Sequence, residues 1–244
     1  SEPNPGLAKQ IEPPTPGTVR RLFADRRTRA LLLYMLAFFL CVFVTAPFFG
    51  PYMRETLGLE YWQIMVVQAG TFGSKIMFLP LVGRLTKKFG PGKVLWLGAA
   101  LTTPAAGFWL ISDQLWWLVI LQVYVGFGWA CWETGSFLLV FDTIPEDKRT
   151  PIMTVYQLAL ATVMTFGSLL GAGVLEWMGT GLRGYAVLMI LTSAMRLVSL
   201  FLLGSIEPSG LRLRHRARTL AIRTRGMIPG WPTIDVDVIE DGPS

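Results

Sequence analysis

Long apolar runs, separated by short polar segments, occupy most of the chain. The run at 61–82 contains 22 residues and is interrupted by one charge, Lys75. A helix rises about 1.5 Å per residue, so a run of this length crosses a hydrocarbon core of roughly 30 Å. Similar runs lie at about 30–52, 94–112, 115–141, 151–178 and 184–206. The pattern predicts an all-α fold, a bundle of six transmembrane helices within residues 30–206.

The composition is typical of an integral membrane protein. Hydrophobic residues make up 52% of the chain and charged residues 16%, a balance unlike that of a soluble domain. Cys41 and Cys131 fall within predicted helices at a spacing typical of neither disulfides nor metal sites, so we interpret both as packing residues. The one histidine, His215, follows the last predicted helix. No pattern of nucleophile, metal ligands or phosphate loop is recognisable, and we expect no enzyme and no cofactor.

Basic residues lie mainly on one side of this predicted topology. Of 22 Lys and Arg, 18 fall in segments assigned to the inner side, and short basic loops stay in the cytoplasm during insertion. We therefore predict a bacterial cytoplasmic membrane protein with both termini inside, and no nucleic-acid partner. Residues 1–29, Pro-rich and then basic, and 207–244, Arg-rich and then acidic, are predicted cytoplasmic segments whose arginines contact membrane lipids.

Two local patterns carry a family resemblance. The basic segment 83–93, predicted as a loop, supplies the first, in Gly83, Arg84, Lys87, Lys88 and Gly90. The second runs from Gly126 to Asp142 and continues with Pro145, Lys148 and Arg149. Together they resemble the major facilitator superfamily, in the second of its two six-helix halves. Lys87 stands where the family's loop usually has an acid.

The resemblance implies a secondary transporter of two halves with the substrate between them near the midplane. It implies that the first and fourth helices of this half line the cavity, the second and fifth face the other half, and the third and sixth face lipid. Polar and small residues on two helices agree with this arrangement. They are Gln68, Thr71 and Lys75 on the second helix, and Gln157, Ala161, Thr165 and Ser168 on the fifth. We expect a second half or another membrane subunit to contact the faces marked by Gln68, Thr71, Thr165 and Gly167, where Gly167-x-x-x-Gly171 permits close helix approach.

Three charges fall within predicted helices, where each costs on the order of 2.5–3.5 kcal/mol. Lys75, Glu133 and Arg196 each precede the inner end of their helix by eight residues, about 12 Å at 1.5 Å per residue. We expect Lys75 to pair with Glu133, either as a static lock between helices or as a site that takes up a proton or a cationic group. Arg196 is interpreted as a supporting partner or as a residue that reaches toward the headgroups.

Other candidate site residues carry the same two interpretations. Trp129 and Trp132 lie one turn or less from Glu133 and either wall a substrate pocket or pack between helices. Gln157 is a candidate for substrate or proton coupling on the fifth helix. Tyr34, Phe38, Thr45 and Phe49 on the first helix share this ambiguity.

Two functions fit these patterns. In the first, the chain is half of a major facilitator-type transporter that moves a small solute across the inner membrane together with another half. In the second, it is a non-transporting structural or accessory subunit of a larger membrane complex, such as an energy-converting or light-harvesting assembly. The missing half and Lys87 motivate the second interpretation.

Overall fold

A computed structural model describes residues 25–204 of the chain, and this part is all-α, as predicted. Its long helices are α1 Arg26–Thr45, α2 Tyr61–Phe89, α3 Pro91–Thr102, α4 Leu115–Thr143, α5 Glu146–Met178 and α6 Leu182–Gly204. Shorter helical turns extend α1 as Ala46–Phe48, Phe49–Pro51 and Tyr52–Thr56, and a short helix, Ala105–Phe108, follows α3. The predicted fold class is confirmed.

The start of α1 is set by a side-chain cap. Both the amide and the hydroxyl of Thr28 donate to Asp25 Oδ2, at 2.8 Å each. These bonds satisfy a helix N-terminal donor and hold the pKa of the Asp25 carboxyl below its usual value, because they favour its charged form. The helix therefore begins at Arg26, four residues before the apolar run.

Five helical segments of the described part are long and apolar enough to cross a membrane. They are Arg26–Thr56, Tyr61–Phe89, Leu115–Thr143, Lys148–Met178 and Leu182–Phe201. The predicted continuous helix at 94–112 is wrong, because the chain there forms α3 and then the separate Ala105–Phe108 helix. Pro104 lies between them. A proline has no amide hydrogen for the helical bond and its ring crowds the preceding turn, so it interrupts the helix.

The predicted loop at 83–93 is also wrong, because α2 continues through most of it to Phe89. Gly83 does not end the helix, and the Thr86 hydroxyl donates to the Val82 carbonyl at 2.8 Å in the following turn. Lysines are good helix formers, and Lys87 and Lys88 in the last turn complement the negative end of the helix dipole. The helix ends at Gly90, whose φ of 87° suits glycine.

The helices pack as two groups of three. The α4 helix packs on α2 and α3, and the α1 helix packs on α5 and α6. Contacts of α1 with α4, and of α3 with α6, join the two groups. Taken as two triplets in sequence, α1–α2–α3 and α4–α5–α6, the first helix of each triplet packs on the second and third helices of the other.

Close backbone approach is what allows α3 to lie against α4. A Cβ atom added at Gly135 of α4 lies 2.6 Å from the Leu95 amide nitrogen of α3. On the other side of the contact, a Cβ at Gly98 collides with the Trp132 backbone. Since both collisions are with backbone, no side-chain rotation relieves them.

An aromatic core joins α1 to α4. The Phe38 and Trp132 rings stack at 4.7 Å between centroids, and Trp132 Nε1 donates to the Tyr34 hydroxyl at 3.3 Å. Cys41 and Cys131 are both free and buried, in agreement with their predicted packing role.

We predict that Gly135→Ala destabilises the protein by about 1–3 kcal/mol, because the added methyl group forces α3 away from α4. The control is Gly173→Ala on α5, where no atom lies within 4 Å of an added Cβ, so the higher helix propensity of alanine makes it neutral or stabilising. Thermal unfolding of both variants in the same detergent measures the difference. Equal effects from the two substitutions would contradict backbone contact at this position.

Candidate functional site

Lys75 and Glu133 form an ion pair between α2 and α4, as expected from their matched depth. Lys75 Nζ lies 2.5 Å from Glu133 Oε2 and 2.6 Å from Oε1, so the ammonium contacts both carboxylate oxygens. It is the one salt bridge among the described side chains of residues 25–204, which do not include that of Asp147. Each charge compensates the other in a layer where a lone charge is costly. The pair is present, and its part in transport stays a prediction.

The ion pair faces the open side of the bundle rather than its core. The Lys75 and Glu133 side chains are 31% and 44% exposed in the isolated chain. Glu133 lines an open depression of about 470 Å³ together with Thr134, Phe137 and Leu138. A charged group and two exposed apolar side chains therefore border the same surface.

The seam between α2 and α4 carries further polar groups in line with the pair. Gln122 Nε2 of α4 donates to Gln68 Oε1 of α2 at 3.2 Å. Between this contact and the ion pair lies Thr71, whose hydroxyl is buried without a hydrogen-bond partner. We call Gln68, Thr71, Lys75, Gln122 and Glu133 the polar seam. It presents hydrogen-bonding groups along several turns of both helices.

Sequence reasoning missed Gln122, although a signal for it existed. Gln122 precedes Glu133 by eleven residues, which is close to three helical turns and places both on one face of α4. The seam also depends on Gly126, because a Cβ there lies 2.5 Å from the Thr71 carbonyl oxygen. Glycine at this position lets α4 approach α2 closely enough for the polar contacts.

The tryptophans next to Glu133 take part in packing. Trp132 is 2% exposed and stacks on Phe38. Trp129, which is partly buried, lies 5.9 Å from Phe38 and 5.8 Å from Trp132 between ring centroids. Of the other α1 candidates, the Thr45 hydroxyl hydrogen-bonds that of Thr192. The structure therefore supports the packing interpretation for Trp132 and shows Trp129 in the same cluster.

The polar face of α5 is exposed but separate from the ion pair. Gln157, Ala161 and Thr165 are exposed, and within residues 25–204 no hydrogen bond joins Gln157 to Lys75 or Glu133. Gly167 was expected to mark a face of α5 that contacts a partner, but it is buried within the chain. A Cβ there lies 2.9 Å from the Leu40 carbonyl oxygen, so Gly167 is buried against α1 of the same chain. The glycine spacing serves internal packing, and Gly167 is not available to a partner.

The family-motif residues lie at the C-terminal ends of α2 and α4 and at the start of α5. Gly83, Arg84, Lys87 and Lys88 are on the last turns of α2, and Gly90 ends that helix. Asp142 is exposed near the end of α4. Arg149 Nη2 donates to the Phe141 and Ile144 carbonyls at 3.1 and 3.3 Å, and the guanidinium lies 4.1 Å from the Phe141 ring centre. Arg149 thus closes the C-terminus of α4.

Arg196 is neither beside the ion pair nor extended toward the headgroups. It is 6% exposed, and Nη1 donates to the Thr102 carbonyl at 2.8 Å. The expectation that it reaches toward the headgroups is wrong. The break after Thr102 leaves that carbonyl without a helical partner inside the bundle, and Arg196 supplies one.

Comparison with known proteins gives two matches. The family model described as Major Facilitator Superfamily matches residues 30–234. A curated relative from Arabidopsis thaliana, named "Probable sphingolipid transporter spinster homolog 2", is 25% identical over 144 residues. The aligned region covers 58% of this chain and 30% of that protein. The chain thus matches less than a third of the length of this relative.

We predict that Lys75 and Glu133 are coupled in stability. Lys75→Gln or Glu133→Gln alone leaves one charge unpaired in the apolar layer, whereas the double substitution leaves none, so the double variant is more stable than the sum of the single effects implies by about 1 kcal/mol. Lys93→Gln, an exposed lysine at the start of α3, serves as the uncoupled control in the same thermal-unfolding series. Additive effects of Lys75→Gln and Glu133→Gln would show that the contact does not contribute to stability.

Proposed function

The chain belongs to the major facilitator superfamily, and we propose that it is the second six-helix half of a secondary transporter. The family is one of transporters, which points away from an enzyme, and the apolar helices make the chain an integral membrane protein. We further propose six crossings, with α3 and Ala105–Phe108 together making the third. The excess of basic residues in the inner segments supports a bacterial cytoplasmic membrane orientation with both termini inside.

The exposed polar faces support a partner for this half. Gln68 on α2 and Gln157 and Thr165 on α5 are exposed, and hydrocarbon chains offer side-chain amides no hydrogen bonds. Thr71, with its buried and unpaired hydroxyl, extends the α2 face. We propose that these faces contact another six-helix half, supplied by the same polypeptide, by a second copy or by a different chain.

The observation that carries the proposed function is that Lys75 and Glu133 contact each other while both side chains stay partly exposed. Both side chains are partly exposed, and Glu133 borders the depression at Phe137 and Leu138. When the other half covers this face, an unpaired charge there becomes costly, because water no longer solvates it. The halves therefore close readily over a paired site and close poorly over a lone charge.

This cost provides a physical route to coupling. A proton on Glu133, or a cationic group that replaces Lys75 beside it, changes which charges are paired and hence which arrangement of the halves is favoured. In this account Glu133 is the group that exchanges partners, and Lys75 holds its charge in place when the site is otherwise empty. Opening and closing are thereby linked to occupancy of one carboxylate.

The chemistry of the depression favours a small amphipathic solute. Phe137 is 60% exposed and Leu138 is 37% exposed beside the Glu133 carboxylate, so a molecule that combines a charge with an apolar part matches both. The Arabidopsis relative is named as a probable sphingolipid transporter, and sphingolipids combine these features. We propose this class of solute for the full transporter.

An accessory role in a larger membrane complex is the second candidate. A lysine in contact with both carboxylate oxygens also suits a static lock between α2 and α4. In that case neither proton nor solute movement depends on Glu133, and the transport experiment separates the two functions.

We predict that Glu133→Gln lowers transport by the full protein about tenfold, the factor that corresponds to loss of one charged interaction of about 1.4 kcal/mol. Proteoliposomes containing pyranine report proton movement, and fluorescently labelled sphingosine is the solute probe. Glu176→Gln, on the exposed outer end of α5, controls for the loss of an acid elsewhere.

Flux that is unchanged in Glu133→Gln, in rate and in pH dependence, would contradict the coupling role. Wild-type protein that moves protons but not the labelled sphingosine would contradict the solute class alone. Wild-type protein that moves neither would favour the accessory role.

A further inference from the structure

The third helix is interrupted inside the bundle. It ends at Thr102, and the chain resumes as the short helix Ala105–Phe108 after Pro104. Within a membrane, backbone groups released by such a break must find partners in the protein, because lipid supplies none. Where those partners come from determines how rigid the break is.

Side chains from two other helices supply these partners. Arg196 of α6 donates to the Thr102 carbonyl at 2.8 Å, and the Tyr124 hydroxyl of α4 donates to the Leu101 carbonyl at 2.7 Å. Beyond the break, the Gly107 amide donates to the Ser193 hydroxyl at 3.2 Å and Trp117 Nε1 donates to the Phe108 carbonyl at 3.2 Å. The interrupted backbone is held by hydrogen bonds rather than left open.

Among the described residues, Arg196 is a buried cation without a carboxylate partner. In the part of the chain that the structure describes, no Asp or Glu oxygen lies within 4.0 Å of its guanidinium. Its charge instead meets the C-terminus of α3, where free carbonyls carry partial negative charge. Its Nε is buried without a hydrogen-bond partner. The guanidinium is therefore held at this position mainly by the broken end of α3.

The break coincides with the boundary between the two helix groups. Before it, α3 packs against α4 through the contacts of Gly98 and Gly135, whereas Ala105–Phe108 packs mainly against α6. The chain thus passes from the α2–α3–α4 group to the α1–α5–α6 group within residues 102–105. Arg196, on α6, reaches back across this boundary to Thr102.

We propose that residues 102–104 form a hinge between the two helix groups, and that Arg196 is the positioning residue that holds the hinge closed. A small rotation of one group against the other is taken up at the break, where no continuous helical hydrogen bonding resists it. The contact between Arg196 and the Thr102 carbonyl is lost when the hinge opens. This inference concerns movement within the half and does not depend on the identity of the partner or the solute.

Amide hydrogen exchange of the full protein in lipid nanodiscs tests the hinge. In Arg196→Gln, exchange in peptides covering 103–111 is expected to rise about tenfold or more, because a hydrogen bond from a charged group is lost. Exchange within Leu115–Thr143 is expected to stay as in the wild type. Arg196→Lys, which keeps a charged donor, is expected to show a smaller rise. Arg183→Gln, at the exposed outer end of α6, is the control and is expected to change neither region.

A distance measurement separates a hinge from general loosening. Spin labels at Trp96→Cys on α3 and Ile190→Cys on α6, both exposed positions, report the two groups after Cys41 and Cys131 are replaced by alanine. Arg196→Gln is expected to add a second distance population, whereas one unchanged distance would overturn the proposal.

An equal rise in exchange across all helices would also overturn it, since that result indicates global destabilisation. If Arg196→Gln does not yield folded protein, Arg196→Lys and Tyr124→Phe are measured in its place. Tyr124→Phe removes the hydroxyl that bonds to Leu101. Unchanged exchange at 103–111 in both variants would reject the hinge.

Discussion

The contact between the Lys75 ammonium and the Glu133 carboxylate is the interaction on which the rest of this account depends. Two charges at the same membrane depth are tolerated because each neutralises the other, and their contact requires α2 and α4 to lie close together. Gly126 permits that approach. The pair lies on the open face of the bundle rather than in the aromatic core.

Arg196 shows a different way to accommodate a charge in the same bundle. Within residues 25–204, its recorded side-chain partner is the Thr102 carbonyl at the end of α3 rather than an acid. The two kinds of charge compensation occur at different helix contacts. Along the α2–α4 seam, side chains balance one another and face outward. At the α3–α6 contact, a side chain completes an interrupted backbone and is enclosed. The first suits exchange with solutes or protons, and the second suits movement between helix groups.

Hydrophobic run length and the matched depth of the charges were sufficient to predict the all-α bundle and the pairing of Lys75 with Glu133. Local backbone geometry was harder to predict from the sequence. Gly83 and the lysines after it indicated a loop, but lysines extend helices, and within 83–93 only Gly90 adopts a positive φ. Pro104 indicated the break in α3, but the prediction followed the unbroken apolar run at 94–112 and placed one helix there. Whether Gly167 meets α1 or another protein depends on tertiary packing, which the spacing of glycines does not encode.

The central claim is that the polar faces of α2 and α5 contact another protein unit in the membrane. Its most direct test is photo-crosslinking in the native membrane from an unnatural amino acid at Thr165 of α5, compared with one at Val198, an exposed apolar position on α6. The account predicts a protein adduct from position 165 and lipid adducts from position 198. Lipid adducts alone from both positions would contradict it.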